Sequence, residues 1–235
     1  MTIEIWSDIV CPFCYIGKRN FEIALNEFPN KDKIKIIWKS FQLNQDAPIN
    51  SGILYPEYLS DKKGWTKEEV KMMLQRVVQS AKDIGLEYHL ETAPLLNTTD
   101  CHRLLQYAKT KGLGDELEEL FFKAYFTDNK NLNDKEILTE LCQNIGIDTT
   151  GVNEALNNNL YLEKVQSDIE EANQLGIHSV PFFVMNRKYA VSGAQPPDVF
   201  MNALERAFED WSKENIDIKL DITEGPACDT NGNCD

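Results

Sequence analysis

The sequence has no apolar run long enough to span a bilayer. It also lacks the basic segment followed by an apolar stretch that is typical of a secretory leader. Histidine is scarce, with 3 residues in 235, and the 24 basic residues are outnumbered by 38 acidic ones. The formal charge of −14 disfavours nucleic acid and anionic membranes as partners. The lack of a leader-like segment and the position of Met1, one residue before a predicted strand, favour a cytoplasmic chain. The alternative is a mature secreted protein whose leader has been removed.

Cysteine is also sparse, because six residues in a chain of this length do not make a disulfide scaffold. Two of the six form the motif Cys11-Pro12-Phe13-Cys14. Thiols separated by two residues reach each other across one helical turn, so they can open and close a disulfide with little backbone movement. The alternatives are a fixed disulfide or half of a zinc site. A zinc site would need a second close pair, and the only candidate pair lies at the far C-terminus.

The flanks of the motif favour redox chemistry. An apolar run, Ile3 to Trp6, precedes it and predicts a strand. Pro12 suits a first helical turn, and the residues that follow place an apolar face at helical spacing: Phe21, Ala24, Leu25 and Phe28. A second strand is predicted by Ile34, Ile36 and Trp38. A CxxC motif within such a βαβ unit is typical of a thioredoxin-like redox site.

From residue 47 to residue 159 the pattern becomes helical. Thr66 and Glu69 form a capping box that begins one helix, and further helices are predicted at 99–111, after Asp115 and after Asn133. A helix ending at Gly176, a hairpin and a last helix follow. We predict an α/β thioredoxin-like fold, 1–46 and 160–215, with a helical domain, 47–159, inserted between its βαβ and ββα halves. An acidic tail, 216–235, ends the chain.

Six segments resemble the DsbA-like thioredoxin-fold oxidoreductases, and specifically their FrnE-like branch. The segments are SDIVCPFCYIGKR at 7–19, FQLN at 41–44, NTTDCHRL at 97–104, AYF at 124–126, VPFF at 180–183 and SGAQ at 192–195. The resemblance implies a thiol–disulfide oxidoreductase or isomerase that needs no cofactor and no metal. Its substrates would be proteins or small molecules bearing disulfides or thiols. The redox partner is not identified by the sequence, and both a monomer and a homodimer stay open.

The resemblance also assigns roles. Cys11 would attack the substrate disulfide and Cys14 would resolve the mixed disulfide, while Pro12, Phe13, Val180 and Pro181 would shape the substrate side. Pro181 would be a cis-proline facing the motif; the alternative is a trans-proline that begins an edge strand. Phe13 offers the Cys11 thiolate neither a charge nor an N–H donor, unlike a histidine in that place. We therefore expect a less oxidising pair than a CPHC motif gives.

The remaining cysteines differ in their surroundings. Cys101 and Cys142 lie on apolar helix faces and are expected to be buried core thiols. For His102, next to Cys101, the sequence leaves open whether the role is structural or functional. Cys228 and Cys234 bracket a turn-rich pentapeptide in the tail and are proposed as a second redox pair. The alternatives for that pair are two incidental thiols or a weak metal site.

Two other functions compete with the oxidoreductase interpretation. One is a glutathione-dependent isomerase or transferase of the chromene-carboxylate isomerase or kappa type. Enzymes of that type carry serine at the first motif position, so Cys11 argues against it. The other is a peptide-binding chaperone that uses the apolar surface beside Pro181 without turnover.

Overall fold

A computed structural model gives the structure of residues 1–49 and 51–215. Within these residues, none of the helices is long and apolar enough to cross a membrane. The strands are β1 (Thr2–Ser7), β2 (Lys35–Ser40), β3 (Phe182–Met185) and β4 (Tyr189–Ser192). The helices are α1 (Pro12–Glu27), α2 (Tyr55–Lys63), α3 (Lys67–Lys82), α4 (Thr99–Thr110), α5 (Gly114–Phe126), α6 (Lys135–Gln143), α7 (Thr149–Asn157), α8 (Asn159–Gln174) and α9 (Pro197–Glu214).

The four strands form one mixed sheet in the order β2-β1-β3-β4. β1 pairs in parallel with β2, since α1 carries the chain back to the same end of the sheet. β3 pairs antiparallel with β1 and with β4. Ile5 is the partner of both Trp38 and Phe183, so the centre of the sheet is apolar. The predicted α/β thioredoxin-like sheet is thus present.

Helices α1 and α9 pack together with the sheet around a cluster of three phenylalanines. The ring centroids of Phe21 and Phe183 are 5.4 Å apart, and those of Phe183 and Phe200 are 4.6 Å apart. All three side chains are buried, together with Ile3, Ile5 and Leu204. This core fixes α1, and therefore the CxxC motif at its start, against the sheet.

A second and larger core joins the helices after β2 to the active-site end of the sheet. It includes Trp6, Cys11 and Cys14 as well as buried residues of α3 to α7. The Trp6 indole donates to the carbonyl of Asp168 on α8 at 3.0 Å. The Asp168 carboxylate accepts from Lys39 Nζ at 2.7 Å and from the Ser40 N–H at 2.9 Å. Helix α8 is therefore anchored to both β1 and β2 by polar contacts.

The structure confirms some of the predicted helices and contains others that the sequence did not predict. Thr66 Oγ1 accepts from the Glu69 N–H and the Glu69 carboxylate accepts from the Thr66 N–H, which is the predicted capping box. The helix predicted after Asn133 is α6, whose N-cap is Asp134. The short helices α2 and α7 were not predicted. α7 contains two threonines, a glycine and asparagines, which are weak helix formers, and its buried Val152 and Ala155 hold it in place.

Candidate active site

The CxxC motif lies at the N-terminus of α1. Cys11 is the N-cap residue, and Pro12 occupies the first helical position, where no N–H is needed. The Cys11 N–H donates to the Asp8 carbonyl at 3.0 Å, and the Cys14 N–H donates to the Cys11 carbonyl at 2.9 Å. Both thiols are free. Cys11 is 4% exposed and Cys14 is 1% exposed, so the first thiol is the more accessible of two buried ones.

The second thiol of the motif is held protonated by its surroundings. Burial raises the pKa of Cys14 well above its ordinary value, and the neighbouring Cys11 thiol raises it further. The backbone of Asp8 and the hydroxyl of Ser7 act on this pKa in the opposite direction. Deprotonation of Cys14 is therefore costly, and any reaction that uses its thiolate needs a nearby group to take the proton.

The loop before β3 faces the motif across the end of the sheet. Cys11 Sγ donates to the Val180 carbonyl at 3.5 Å, and the Val180–Pro181 peptide bond is cis, as the resemblance implied. The Pro181 carbonyl accepts from the Gly193 N–H at 2.8 Å. The structure thus places Cys11 next to Val180, which precedes Pro181, while Pro12, Phe13 and Cys14 form the first turn of α1.

The helical segment supplies one wall of this site. The Tyr88 hydroxyl, between α3 and α4, donates to the Pro12 carbonyl at 2.8 Å. Tyr15 of α1 stacks on Phe122 of α5 with ring centroids 5.0 Å apart. Phe13 instead points outward and is 45% exposed, which places an apolar ring on the surface beside the thiols.

His102 faces the loop that leads into Cys11. Its Nε2 lies 3.3 Å from Asp8 Oδ1, and both side chains are buried. The other carboxylate oxygen of Asp8 accepts from the Leu43 N–H at 2.8 Å. Asp8 thus ties the residues just before Cys11 to α4 and to the segment after β2. The other two histidines, His89 and His178, are exposed.

The other cysteines lie apart from this site. Cys101 and Cys142 are fully buried, as predicted, and burial raises the pKa of Cys101 well above its ordinary value and that of Cys142 to about 12. Thiols with such pKa values are poor nucleophiles at neutral pH. Cys228 and Cys234 lie outside the described residues, so their pairing stays a prediction. No group of three or more metal-ligating His, Cys, Asp or Glu side chains occurs in the described part of the chain.

Sequence reasoning missed two buried polar side chains, Ser7 at the end of β1 and Glu118 on α5, whose Oγ and Oε1 atoms have no hydrogen-bond partner. Glu118 is only 2% exposed. The signal was its spacing, because Glu118 precedes Phe121 by three residues and Phe122 by four, on the buried face of one helix. A carboxyl on that face is buried with its aromatic neighbours.

Comparisons with known proteins agree with this architecture. The model of the DSBA-like thioredoxin domain family matches residues 2–205. The crystal structure of the probable DsbA oxidoreductase SCO1869 from Streptomyces coelicolor is similar with a TM-score of 0.84 and 36% identity, over 100% of this chain and 98% of that one. The uncharacterized protein YwbO of Bacillus subtilis (strain 168) is 28% identical over 214 residues, which cover 90% of this chain and 98% of YwbO.

One more distant protein is similar to this chain in fold only. The cytosolic disulfide reductase DsbM from Pseudomonas aeruginosa, solved with GSH, has a TM-score of 0.64 at 15% identity, over 89% of this chain and 100% of that chain. The family match extends from β1 into α9 and includes the motif, the facing proline loop and the helices between them. The chain therefore belongs to the DSBA-like thioredoxin domain family.

Proposed function

We propose that the protein is a thiol–disulfide oxidoreductase or isomerase in which Cys11 attacks and Cys14 resolves. The observation that carries the proposal is the position of Cys11 at the N-terminus of α1, with Cys14 one turn inside and Val180 opposite. Unpaired N–H groups at a helix N-terminus favour a thiolate over a thiol. The deeper Cys14 is shielded until a mixed disulfide has formed on Cys11.

The reaction proceeds by two exchanges. The Cys11 thiolate attacks one sulfur of a substrate disulfide, so that a mixed disulfide forms and one substrate thiolate leaves. The Cys14 thiolate then attacks the Cys11 sulfur, the second substrate thiolate leaves, and the Cys11–Cys14 disulfide closes. The substrate gains two electrons and the motif loses two. The reverse sequence oxidises a substrate dithiol, and a mixed disulfide that returns to the substrate isomerises it.

The surface around Cys11 suits a disulfide carried by an extended chain. Phe13 presents an apolar ring beside the thiol, and the Val180–Pro181 loop lies on the other side. Small disulfides are equally compatible with this chemistry. Because the Pseudomonas protein is a disulfide reductase solved with GSH, glutathione is the first small thiol to test as reductant.

The decisive assay compares insulin reduction and the reactivation of scrambled ribonuclease by the wild type and by Cys11→Ser. Loss of both activities in Cys11→Ser supports the proposal. Cys101→Ser is the matched control, since it removes a buried thiol outside the site. An inactive wild type that still suppresses aggregation would favour a peptide-binding chaperone. Glutathione-dependent turnover of a small substrate by Cys11→Ser would favour the isomerase or transferase class.

Three finer predictions accompany this proposal. A cytoplasmic location is tested by cell fractionation, and light scattering on the purified chain decides between the monomer and the homodimer that the sequence leaves open. The second redox pair, Cys228 and Cys234, is tested by peptide mapping without reductant. Membership of the FrnE-like branch rests on the sequence segments that resemble it.

A further inference from the structure

Tyr88 connects the helical segment to the CxxC motif by a hydrogen bond. Its hydroxyl donates to the Pro12 carbonyl at 2.8 Å, across 76 positions of sequence, and its side chain is 4% exposed. Burial raises the pKa of Tyr88 above its ordinary value, so the hydroxyl keeps its proton and remains a donor. The carbonyl between the two cysteines of the motif thus has a permanent hydrogen-bond donor.

The position of the Tyr88 ring is fixed by the end of α5. The His89 N–H donates to the Phe126 carbonyl at 2.7 Å. On the other side of Tyr88, the Glu87 carbonyl accepts from the Thr127 hydroxyl at 2.7 Å. The ring itself stacks on Phe126 with the centroids 4.6 Å apart. Packing and hydrogen bonds therefore hold the hydroxyl in place against the motif before any substrate arrives.

The peptide unit that accepts from Tyr88 also carries a free donor at the start of α1. The Pro12 carbonyl and the Phe13 N–H belong to this one peptide unit. The Cys14 N–H donates to the Cys11 carbonyl at 2.9 Å, whereas the Phe13 N–H has no acceptor within the described part of the chain. The first N–H groups of a helix have no partner inside the helix. The Phe13 N–H is therefore available to a side chain at the N-cap.

The hydrogen bonding of Cys11 must change when this N-cap residue loses its proton. As a thiol, Cys11 Sγ donates to the Val180 carbonyl at 3.5 Å and makes no hydrogen bond to the start of α1. A thiolate has no proton to donate, so it needs a donor in place of that carbonyl. An N-cap side chain accepts from the second or third helical N–H, and the second is the free N–H of Phe13.

We propose, on the basis of the redox function above, that Tyr88 is a positioning residue that raises the reduction potential of the motif through the Pro12–Phe13 peptide. Hydrogen bonds in series polarise one another, so a donor on the Pro12 carbonyl makes the Phe13 N–H a stronger donor. The stronger N–H stabilises the Cys11 thiolate, a species that exists only in the reduced protein. Tyr88 therefore favours the dithiol over the disulfide.

The test measures the equilibrium between the motif and glutathione at pH 8. One protein disulfide and two molecules of glutathione give one protein dithiol and one glutathione disulfide, so two electrons are exchanged. Samples of the full-length protein are quenched with acid, alkylated and digested with trypsin. The tryptic peptide of residues 1–18 contains both cysteines of the motif and none of the other four, so its mass reports on this pair alone.

We expect Tyr88→Phe, which keeps the ring and removes the hydroxyl, to lower the equilibrium constant for reduction by about two- to fivefold. This change corresponds to about 10–20 mV in potential. Tyr125→Phe is the matched control, because the buried Tyr125 donates to the Pro94 carbonyl, outside the motif, at 3.0 Å. The control should leave the constant unchanged. An unchanged constant in Tyr88→Phe, or an equal fall in both variants, would overturn the inference.

Fluorotyrosine in place of Tyr88 is a second arm, which decides the question even if Tyr88→Phe does not fold. Fluorine makes the hydroxyl a stronger donor and keeps the ring, so the constant should rise, opposite to the effect of phenylalanine. A fall or no change would contradict the inference. The proposed function fails differently, because a wild-type peptide 1–18 that forms no disulfide at any glutathione ratio would contradict that function. A reversible wild-type pair with unchanged variants would contradict only the role of Tyr88.

Discussion

Gly17 of α1 lies directly against Pro181. A Cβ atom at Gly17 would be 2.8 Å from Pro181 Cγ and 3.4 Å from Ala194 Cα. The contact with Pro181 Cγ is too short for a real Cβ, so one of the two elements would have to move, because a protein interior is close-packed. Glycine therefore lets the first turns of α1 approach the loop that faces Cys11. The distance between the thiols and that loop depends on this residue.

Replacing Gly17 by alanine should push α1 away from Pro181. We expect Gly17→Ala to lower the free energy of unfolding by about 1–3 kcal/mol, as overpacking does in other cores. Urea unfolding measures the change. In a double-mutant cycle, Pro181→Ala should reduce the cost of Gly17→Ala, because it removes the Cγ atom that the new Cβ meets. Strict additivity of the two substitutions would contradict this explanation.

The buried contact of His102 with Asp8 should contribute measurably to stability. We expect His102→Ala to cost about 1–3 kcal/mol, because it leaves a buried carboxylate oxygen without its partner. Thermal or urea unfolding provides the measurement. His89→Ala is the control, since His89 is exposed, and it should change stability by no more than about 0.5 kcal/mol. Equal effects of the two substitutions would contradict the assignment of His102 to the active-site loop.

Glu118 should make stability depend on pH in a defined direction. Burial raises its pKa from 4.5 to about 7, so the folded protein binds this proton more tightly than the unfolded chain. The associated stability is present below pH 4.5 and is lost as pH rises through 7, by about 3 kcal/mol in total. Glu118→Gln removes the titration. Its stability relative to the wild type should therefore increase by that amount between pH 4.5 and pH 8.

Urea unfolding at several pH values provides this comparison, and the difference between variants cancels the groups that both share. Glu116→Gln should give a difference from the wild type that does not change with pH, because Glu116 is exposed. Unfolding free energies for Glu118→Gln and the wild type that run in parallel across this range would show that the carboxyl does not titrate as described.

Phe13 offers a way to tune the redox potential. A histidine at this exposed position, beside the N-cap thiol, adds a donor or a positive charge that stabilises the Cys11 thiolate. We expect Phe13→His to raise the reduction potential by about 30 mV or more, which is about tenfold in the equilibrium with glutathione. Ile23→His, at an exposed position farther along α1, should leave the potential unchanged. A shift of equal size in both variants would exclude a local effect.

Much of the fold follows from local patterns. The alternation in β2, the helical spacing after Cys14 and the Thr66 capping box each specify an element without help from distant residues. Helices α2 and α7 were missed for the opposite reason. Their sequences favour a helix only weakly, and packing against neighbouring helices decides their conformation.

The candidate active site likewise has features that local sequence patterns predict and features that they do not. The motif and Pro181 could be identified because each stands in a recognisable local context. The contact of Cys11 with Val180 joins residues 169 positions apart, and the contact of His102 with Asp8 joins α4 to the loop before α1. No local pattern encodes such distances. The role of Gly17 is likewise hidden from local patterns, because it depends on the space that a missing Cβ leaves for Pro181, far along the chain.

The central claim is that Cys11 forms the covalent bond to the substrate. Cys14→Ser should trap that bond, because the mixed disulfide can no longer be resolved. After incubation of Cys14→Ser with a disulfide-bonded peptide, intact-mass measurement and peptide mapping should find the peptide attached to Cys11 and released by dithiothreitol. The same treatment of Cys11→Ser should leave Cys14, Cys101 and Cys142 unmodified. A Cys14→Ser protein with no adduct on Cys11 would contradict the account.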